Sequence, residues 1–385
     1  MLLAVGSLAR LVLTILGLRA AAELPRIAEL EVPAPSCWPR VSILIPACNE
    51  AATIETALDS KMKQDYPDLE LVVVDDRSTD GTGAAVDRLA ACDARVRALH
   101  LRDLPHGWLG KVHALHQGMA HVRGDWVLLS DADVHLAPST LRQAVAYAEH
   151  RGLDFVTMVP EFVPASLAVD AAMADLVRSL LPILKPDRGG SAESRFGVGG
   201  GAFMLFRRGA YQRSPGFQHL RMEVLDDMAF GQMMKDSGAR CGVAHGKGLV
   251  RLAFYTSLAD FARGTEKAFA SAGRCSLPRL LLFAGATVFV NLSPWLCIAL
   301  PWPLPLRAAG ALVAALDMAG SITMSRSTGG RVVPAVLAPI GAFITAAFLL
   351  RSGWLAARRG GILWRGTLYR TAELRAGMRY RFPWG

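Results

Sequence analysis

The stretch Val41-Ser-Ile-Leu-Ile-Pro46-Ala-Cys-Asn49-Glu50 decides how the rest of the chain is read. A short apolar run that stops at a proline and then turns polar has the pattern of a strand buried on both faces, as in parallel sheets. A helical stretch follows from about residue 50 to 64, and the same rhythm continues downstream. Strands are expected over 69–76, 96–101 and 126–131, with helices over 82–91 and 111–122 between them. Such alternation predicts an α/β fold, a mostly parallel sheet with flanking crossover helices. Ligands in these sheets bind beyond the carboxyl ends of the strands. The polar clusters of this sequence fall there.

Outside that core the chain changes character. Of its 385 residues 52% are hydrophobic and 19% charged, which excludes a disordered chain, a coiled coil and a small disulfide scaffold. Three runs near the end, 280–306, 308–325 and 332–350, carry no charge except Asp317, and each approaches the length needed to cross a bilayer. Prolines at 294, 301, 303 and 305 predict that the first span ends near Leu300. Asp317 reads either as a contact to a headgroup or neighbouring helix, or as an interfacial position. Residues 1–22 are apolar but hold Arg10 and Arg19, the pattern of a membrane anchor or an interfacial helix. The expected organisation is therefore an anchor over 1–22, a catalytic domain over 40–274, two to three transmembrane helices over 279–350 and a basic juxtamembrane tail over 351–385.

The charge is +9 overall, and the tail accounts for most of it. From Arg351 onward there are eight arginines against Glu373 alone, a net of 8 − 1 = +7; the remainder holds 42 − 8 = 34 bases against 33 − 1 = 32 acids. A basic tail after an apolar run suits anionic lipid headgroups, so a membrane partner is expected and no nucleic acid. Six scattered cysteines with no C-x-x-C pair read as reduced thiols of a cytosol-facing protein.

Three clusters carry chemistry. Pro46, Asn49 and Glu50 follow the first strand, and Asp75-Asp76 close the second. Ser78 and Asp80 read as caps of the next helix. Asp131-Ala-Asp133 follows the fourth strand. Carboxylates at i and i+2 of an extended chain share a face and repel unless a cation sits between them. Mg²⁺ or Mn²⁺ would fill that place and leave positions for phosphate oxygens.

Taken together, 40–274 resembles a family 2 glycosyltransferase with the GT-A fold, a Rossmann-like sheet with flanking helices. The matching residues are 41–50, Val74-Asp75-Asp76-Arg-Ser-Thr-Asp80-Gly81-Thr82, Gly107-Trp108-Leu109-Gly110-Lys111, Asp131-Ala-Asp133 and Leu225-Asp226-Asp227. Gly107–Lys111 and Trp364-Arg365-Gly366-Thr-Leu-Tyr369 resemble the membrane enzymes that glycosylate hopanoids and carotenoid acids. The resemblance implies that Asp76 contacts the nucleotide base, helped by the segment around Pro46 and Glu50, and that Lys111 contacts the diphosphate. Asp131 would meet ribose or metal, Asp133 would be the principal metal ligand, and Asp227 the general base. Relatives usually show Glu-Asp at 226–227; Asp226 reads as first-turn charge favouring the helix dipole. Cofactors implied are Mg²⁺ or Mn²⁺, and partners a nucleotide-sugar, a UDP-sugar by preference, and a lipid acceptor at the cytosolic face of the inner membrane.

Two further features bear on the reaction. The Gln/Arg-x-x-Arg-Trp signature of polymer-making relatives is absent, which favours one sugar per acceptor; Arg263-Gly-Thr-Glu266-Lys267 stands in the comparable place, either near the diphosphate or coating a helix. Gly197-Val-Gly199-Gly-Gly201-Ala202 matches a dinucleotide fingerprint, but it comes late and runs into a strand pattern rather than a helix. Its glycines are expected to let backbone approach the donor sugar or acceptor. A processive polysaccharide synthase and a non-catalytic nucleotide-binding membrane protein remain the alternative readings.

Overall fold

The computed structural model describes residues 1–184 and 196–381. The described chain divides into two units. One holds residues 24–161, 196–252 and 376–381; the other holds 1–23, 162–184 and 253–375.

The first unit is built on a seven-stranded sheet of β1 (Val41–Ala47), β2 (Leu69–Asp76), β3 (Val96–Leu101), β4 (Trp126–Leu129), β6 (Phe155–Val159), β8 (Met204–Arg207) and β9 (Cys241–His245). Their order is β3-β2-β1-β4-β8-β6-β9. β1 is central and parallel to both neighbours, Ile43 facing Leu71 on β2 and Leu128 on β4. Its side chains from Val41 to Ile45 are all buried, which explains the near-continuous apolar run. β8 runs antiparallel to β4, with Met204 opposite Leu129 and Arg207 opposite Trp126. The start of β8 therefore lies where β4 ends. β5 (Val134–Leu136) pairs with β10 (Val250–Leu252) outside this sheet; the remaining short strand β7 is Glu161–Phe162.

The second unit is helical. Helices Leu2–Glu23, Leu277–Ala299, Leu304–Ser327 and Ala338–Arg359 are each long and apolar enough to cross a membrane. The first C-terminal helix stops one residue before Leu300, as the prolines require. Packing is close because small residues sit at the contacts: a Cβ at Gly320 would come within 2.6 Å of Thr14, and one at Gly341 within 2.2 Å of the Ala171 carbonyl.

Buried charge also ties this bundle together. Asp317 accepts Arg10 Nε at 2.7 Å and the Thr14 hydroxyl at 2.9 Å, and it pairs with Arg178. Arg178 also meets Asp175, at 3.2 Å, and Asn291. Of the two sequence readings of Asp317, the structure shows the neighbouring-helix contact.

The two units cut across the expected domain over 40–274 at two places. Residues 162–184 belong to the helical unit, because helix Leu167–Leu184 brings Asp175 and Arg178 into its ion-pair network. Residues 253–274 belong there too, and the end of the basic tail, 376–381, belongs instead to the sheet unit. Glu266 binds Arg351 and Arg359, and Lys267 stands 3.7 Å over the Trp364 ring, so Arg263–Lys267 is part of the helical unit's own surface. All six cysteines are free thiols.

Candidate active site

The polar clusters converge at the carboxyl ends of β1, β2 and β4. Their loops are stitched to one another. Asn49, held at φ 57°, accepts the Thr79 N–H at 2.8 Å through Oδ1, and its own N–H goes to Ser78 Oγ at 3.0 Å. Glu50 N–H donates to Thr82 Oγ1 at 2.8 Å. Asp80 accepts the Thr82 N–H at 3.1 Å just ahead of helix Thr82–Cys92, but the N-cap is Gly81, so neither Asp80 nor Ser78 is the cap expected from the sequence. Asn49 thus works on the loop, and Pro46 stands beside it as the penultimate residue of β1.

Asp75 and Asp76, adjacent on β2, diverge because successive strand residues face opposite ways. Asp75 turns to His100 Nδ1, 3.0 Å away, and to the Ser78 N–H. Its carboxylate is committed to protein groups and does not join the other acids. Asp76 turns the other way, to Arg77 at 2.7 Å and to the start of helix Gly110–Met119. A Cβ at Gly110 would lie 2.4 Å from Asp76 Oδ2, so glycine is required for that approach. Gly107, at φ +80°, makes the preceding turn. Trp108 stacks on His116 with ring centroids 4.8 Å apart.

Lys111, in the first turn of that helix, reaches into the acids. Its Nζ is 2.8 Å from Asp131 Oδ1 and 3.3 Å from Asp226 Oδ2. Burial alone would lower its pKa, but Asp131, Asp226 and Asp227 outweigh burial and hold the ammonium above its usual range. Gly201 closes the ring. Its carbonyl accepts the Asp131 N–H at 3.1 Å, and its N–H donates to Asp227 Oδ2 at 3.0 Å. A Cβ on it would be 2.6 Å from Asp131 Oδ2, and one on Gly199 would be 2.0 Å from the Asp227 carbonyl. The glycine run is thus dictated by close backbone approach at the head of antiparallel β8.

Asp226 and Asp227 open helix Asp226–Asp236. Asp226 is 4% exposed, and its Oδ2 makes no hydrogen bond although Lys111 is near. Asp227 is the more open of the two, with Oδ1 accepting the Met228 N–H at 2.8 Å. Burial and then the Asp226 charge push the Asp227 pKa up. Asp133 behaves similarly: burial, then Asp131 and Glu50, raise its carboxyl to about 6.

Lys61 lies beneath the Asp131–Asp133 turn. It is fully buried and donates to the Asp131 carbonyl at 3.3 Å and the Val134 carbonyl. Burial lowers its pKa to about 7 against the pull of Asp133 and Asp131. Sequence reasoning missed this residue, yet a signal existed. Ile54, Ala57, Leu58 and Lys61 are the buried stripe of helix Ile54–Met62 at i, i+3, i+4 and i+7, and a lysine in an apolar stripe needs an acid nearby.

Among the described residues no three His, Cys, Asp or Glu side chains gather tightly enough to hold a metal alone. Asp131 and Asp133 fit a divalent cation that completes its shell with phosphate oxygens: the donors are hard carboxylates, and the crowding that raises Asp133 is what such a cation relieves.

Comparison with known proteins agrees with this geometry. The sequence profile of Glycosyl transferase family 2 matches residues 42–214, which span β1 to β8 and their crossovers. That stretch is similar to the catalytic domain of this family. Succinoglycan biosynthesis protein ExoO of Rhizobium meliloti is 37% identical over 114 residues, 30% of this chain and 31% of ExoO. The GalNAc(5)-diNAcBac-PP-undecaprenol beta-1,3-glucosyltransferase of Campylobacter jejuni is 32% identical over 108 residues, 27% of this chain and 34% of its own. The chain spans about a third of the length of these curated relatives. The mannosyltransferase PcManGT from Pyrobaculum calidifontis, solved with GDP-Man and Mn²⁺, superposes with a TM-score of 0.54 at 22% identity, covering 92% of this chain and 98% of that one. That likeness establishes the GT-A fold of the family 2 domain.

Proposed function

We propose that this protein is a membrane-bound, inverting glycosyltransferase that moves one sugar from a nucleotide-sugar, a UDP-sugar by preference, to a lipid acceptor. One observation carries the proposal: Gly201 and Lys111 hold Asp131, Asp226 and Asp227 in one cluster at the carboxyl ends of the strands. Asp76 takes the nucleotide base and Lys111 the diphosphate, where a compact ammonium suits phosphate oxygens. Asp131 and Asp133 hold Mg²⁺ or Mn²⁺, which when bound offsets charge on the departing diphosphate.

Asp227 is the base. It is open enough to be reached, its second oxygen is fixed by Gly201, and its raised pKa improves it as a proton acceptor. The acceptor oxygen bonds to the anomeric carbon as the bond to diphosphate breaks, the proton passes to Asp227, and the carbon inverts. Asp226 stays paired with Lys111. The lipid acceptor is supported by four apolar helices and by the relative named for an undecaprenol-linked substrate. The site is assigned to the cytosolic face of the inner membrane, where activated sugars are made.

The test is incubation of the protein, in vesicles of total polar lipid extract with Mn²⁺ or Mg²⁺, with labelled UDP-glucose, UDP-galactose, UDP-N-acetylglucosamine, UDP-glucuronate and GDP-mannose in turn. One lipid-soluble product carrying a single sugar is expected. A polymer ladder would favour a processive synthase. Nucleotide binding without transfer from any donor would favour the non-catalytic reading.

A further inference from the structure

Arg379 and Tyr380 of the basic tail are tied to the segment that leads into the proposed base. Glu223, 1% exposed, accepts the Leu225 N–H at 3.0 Å through one oxygen and the N–H groups of Arg379 and Tyr380 through the other, the latter at 2.9 Å. A buried carboxylate satisfied by backbone donors from two distant segments fixes both. Leu225 immediately precedes Asp226-Asp227, and its carbonyl takes the Ala229 N–H at 2.9 Å in the first turn of their helix. Two residues before Glu223, the Arg221 carbonyl accepts the Leu109 N–H at 2.7 Å, just ahead of Gly110-Lys111. Gly377 is pressed on Met222, where a Cβ would meet the Met222 Cβ at 2.3 Å. Residues 221–225 are thus a junction of the Lys111 loop, the base helix and the tail.

Tyr380 is the side chain this junction delivers. It is 6% exposed, and burial together with the Asp227 charge raises its phenol pKa. We propose that residues 378–381 are a positioning element of the active centre: the Glu223 clamp holds Tyr380 beside Asp227 as a wall that favours the acceptor hydroxyl over water as the group giving up its proton. This rests on the reading of Asp227 as the base. It gives the last arginine-rich stretch a role in transfer besides attraction to headgroups.

The full-length protein tests it, with Glu223→Gln, Tyr380→Ala, Tyr380→Phe and a chain stopped after Gly377. Calorimetry with UDP and Mn²⁺ reads donor binding, and the vesicle assay reads transfer and release of free sugar. Glu223→Gln and Tyr380→Ala should bind UDP like the parent, lose at least about tenfold in kcat for transfer with donor KM nearly unchanged, and hydrolyse a larger share of the donor. Tyr380→Phe, which keeps the ring, should retain most transfer. Hydrogen exchange should show amides of 379–381 and 225–229 loosening together in Glu223→Gln.

Wild-type transfer by Tyr380→Ala and Glu223→Gln overturns the proposal, as does loss of UDP binding in step with kcat. If the truncated chain fails to fold, the point variants decide. If Asp227→Asn keeps turnover while Tyr380→Ala loses it, the base assignment fails and takes the proton-selecting wall with it, leaving only the positioning of the centre by residues 378–381. If the parent transfers no sugar, exchange decides: independent loosening of the two segments sinks the clamp.

Discussion

Among the described residues two clusters of charge stand out, one buried in the helical unit and one half-buried at the head of the sheet, and they are composed differently. In the helical unit Arg10 and Arg178 face Asp175 and Asp317, two cations against two acids. In the sheet unit Lys61 and Lys111 face Glu50, Asp131, Asp133, Asp226 and Asp227, two amines against five acids. A neutral buried network locks helices and offers little to a ligand. A cluster with excess negative charge is incomplete until a cation joins it. The contrast separates structural charge from chemical charge without reference to any relative.

The largest effect is expected from Asp227→Asn, which removes the proton acceptor while keeping its shape. Transfer should fall about 10² to 10⁴-fold with UDP affinity little changed; unchanged turnover would mean that the excess acid serves something other than the base. Next comes the neutral cluster. Asp317→Asn leaves two buried arginines with one acid and should cost about 3–5 kcal/mol, read as a lower unfolding temperature in detergent, whereas Arg10→Met with Asp317→Leu should restore most of it. A double variant no better than the single would show that these charges do more than lock helices. Asp133→Ala should raise the Mn²⁺ concentration for half-maximal UDP binding by about tenfold or more, measured by titration calorimetry. The smallest effect is expected from Lys61→Met. Removing an amine whose pKa burial lowers to about 7, and which is therefore only partly charged at neutral pH, deepens the negative excess modestly, so the Mn²⁺ requirement should fall by a factor of about 2 to 5; a rise would mean that its bonds to the Asp131 and Val134 carbonyls matter more than its charge.

What the sequence disclosed follows from range. β1, β2 and β4 were legible because buried parallel strands are written as local apolar runs, and Asp76 and Asp131 drew notice because they follow such runs. Lys111 and Asp227 were singled out only through the resemblance. Asp75 was grouped with its neighbour, and only the alternation of β2 shows that it faces His100. Helix Leu167–Leu184 was invisible as part of the bundle since a scan for uncharged runs rejects Asp175 and Arg178; the two pair with each other one turn apart, and Arg178 also meets Asp317 and Asn291, each more than a hundred residues away. Glu223 and Tyr380 left no local trace, being joined across 157 positions. The positive charge of the tail was plain, and it hid that Arg379 and Tyr380 are tied to the segment leading into the base.

The bond from Arg10 to Asp317 links residues 307 apart. At a ribosomal pace of about 5–20 residues per second, roughly 15 to 60 s separate the synthesis of the arginine from that of its acid. During that interval helix Leu2–Glu23 holds a guanidinium without the carboxylate of Asp317, so it cannot settle in its finished place. Assembly of the bundle must wait for helix Leu304–Ser327, and a segment made early is secured only after one made much later.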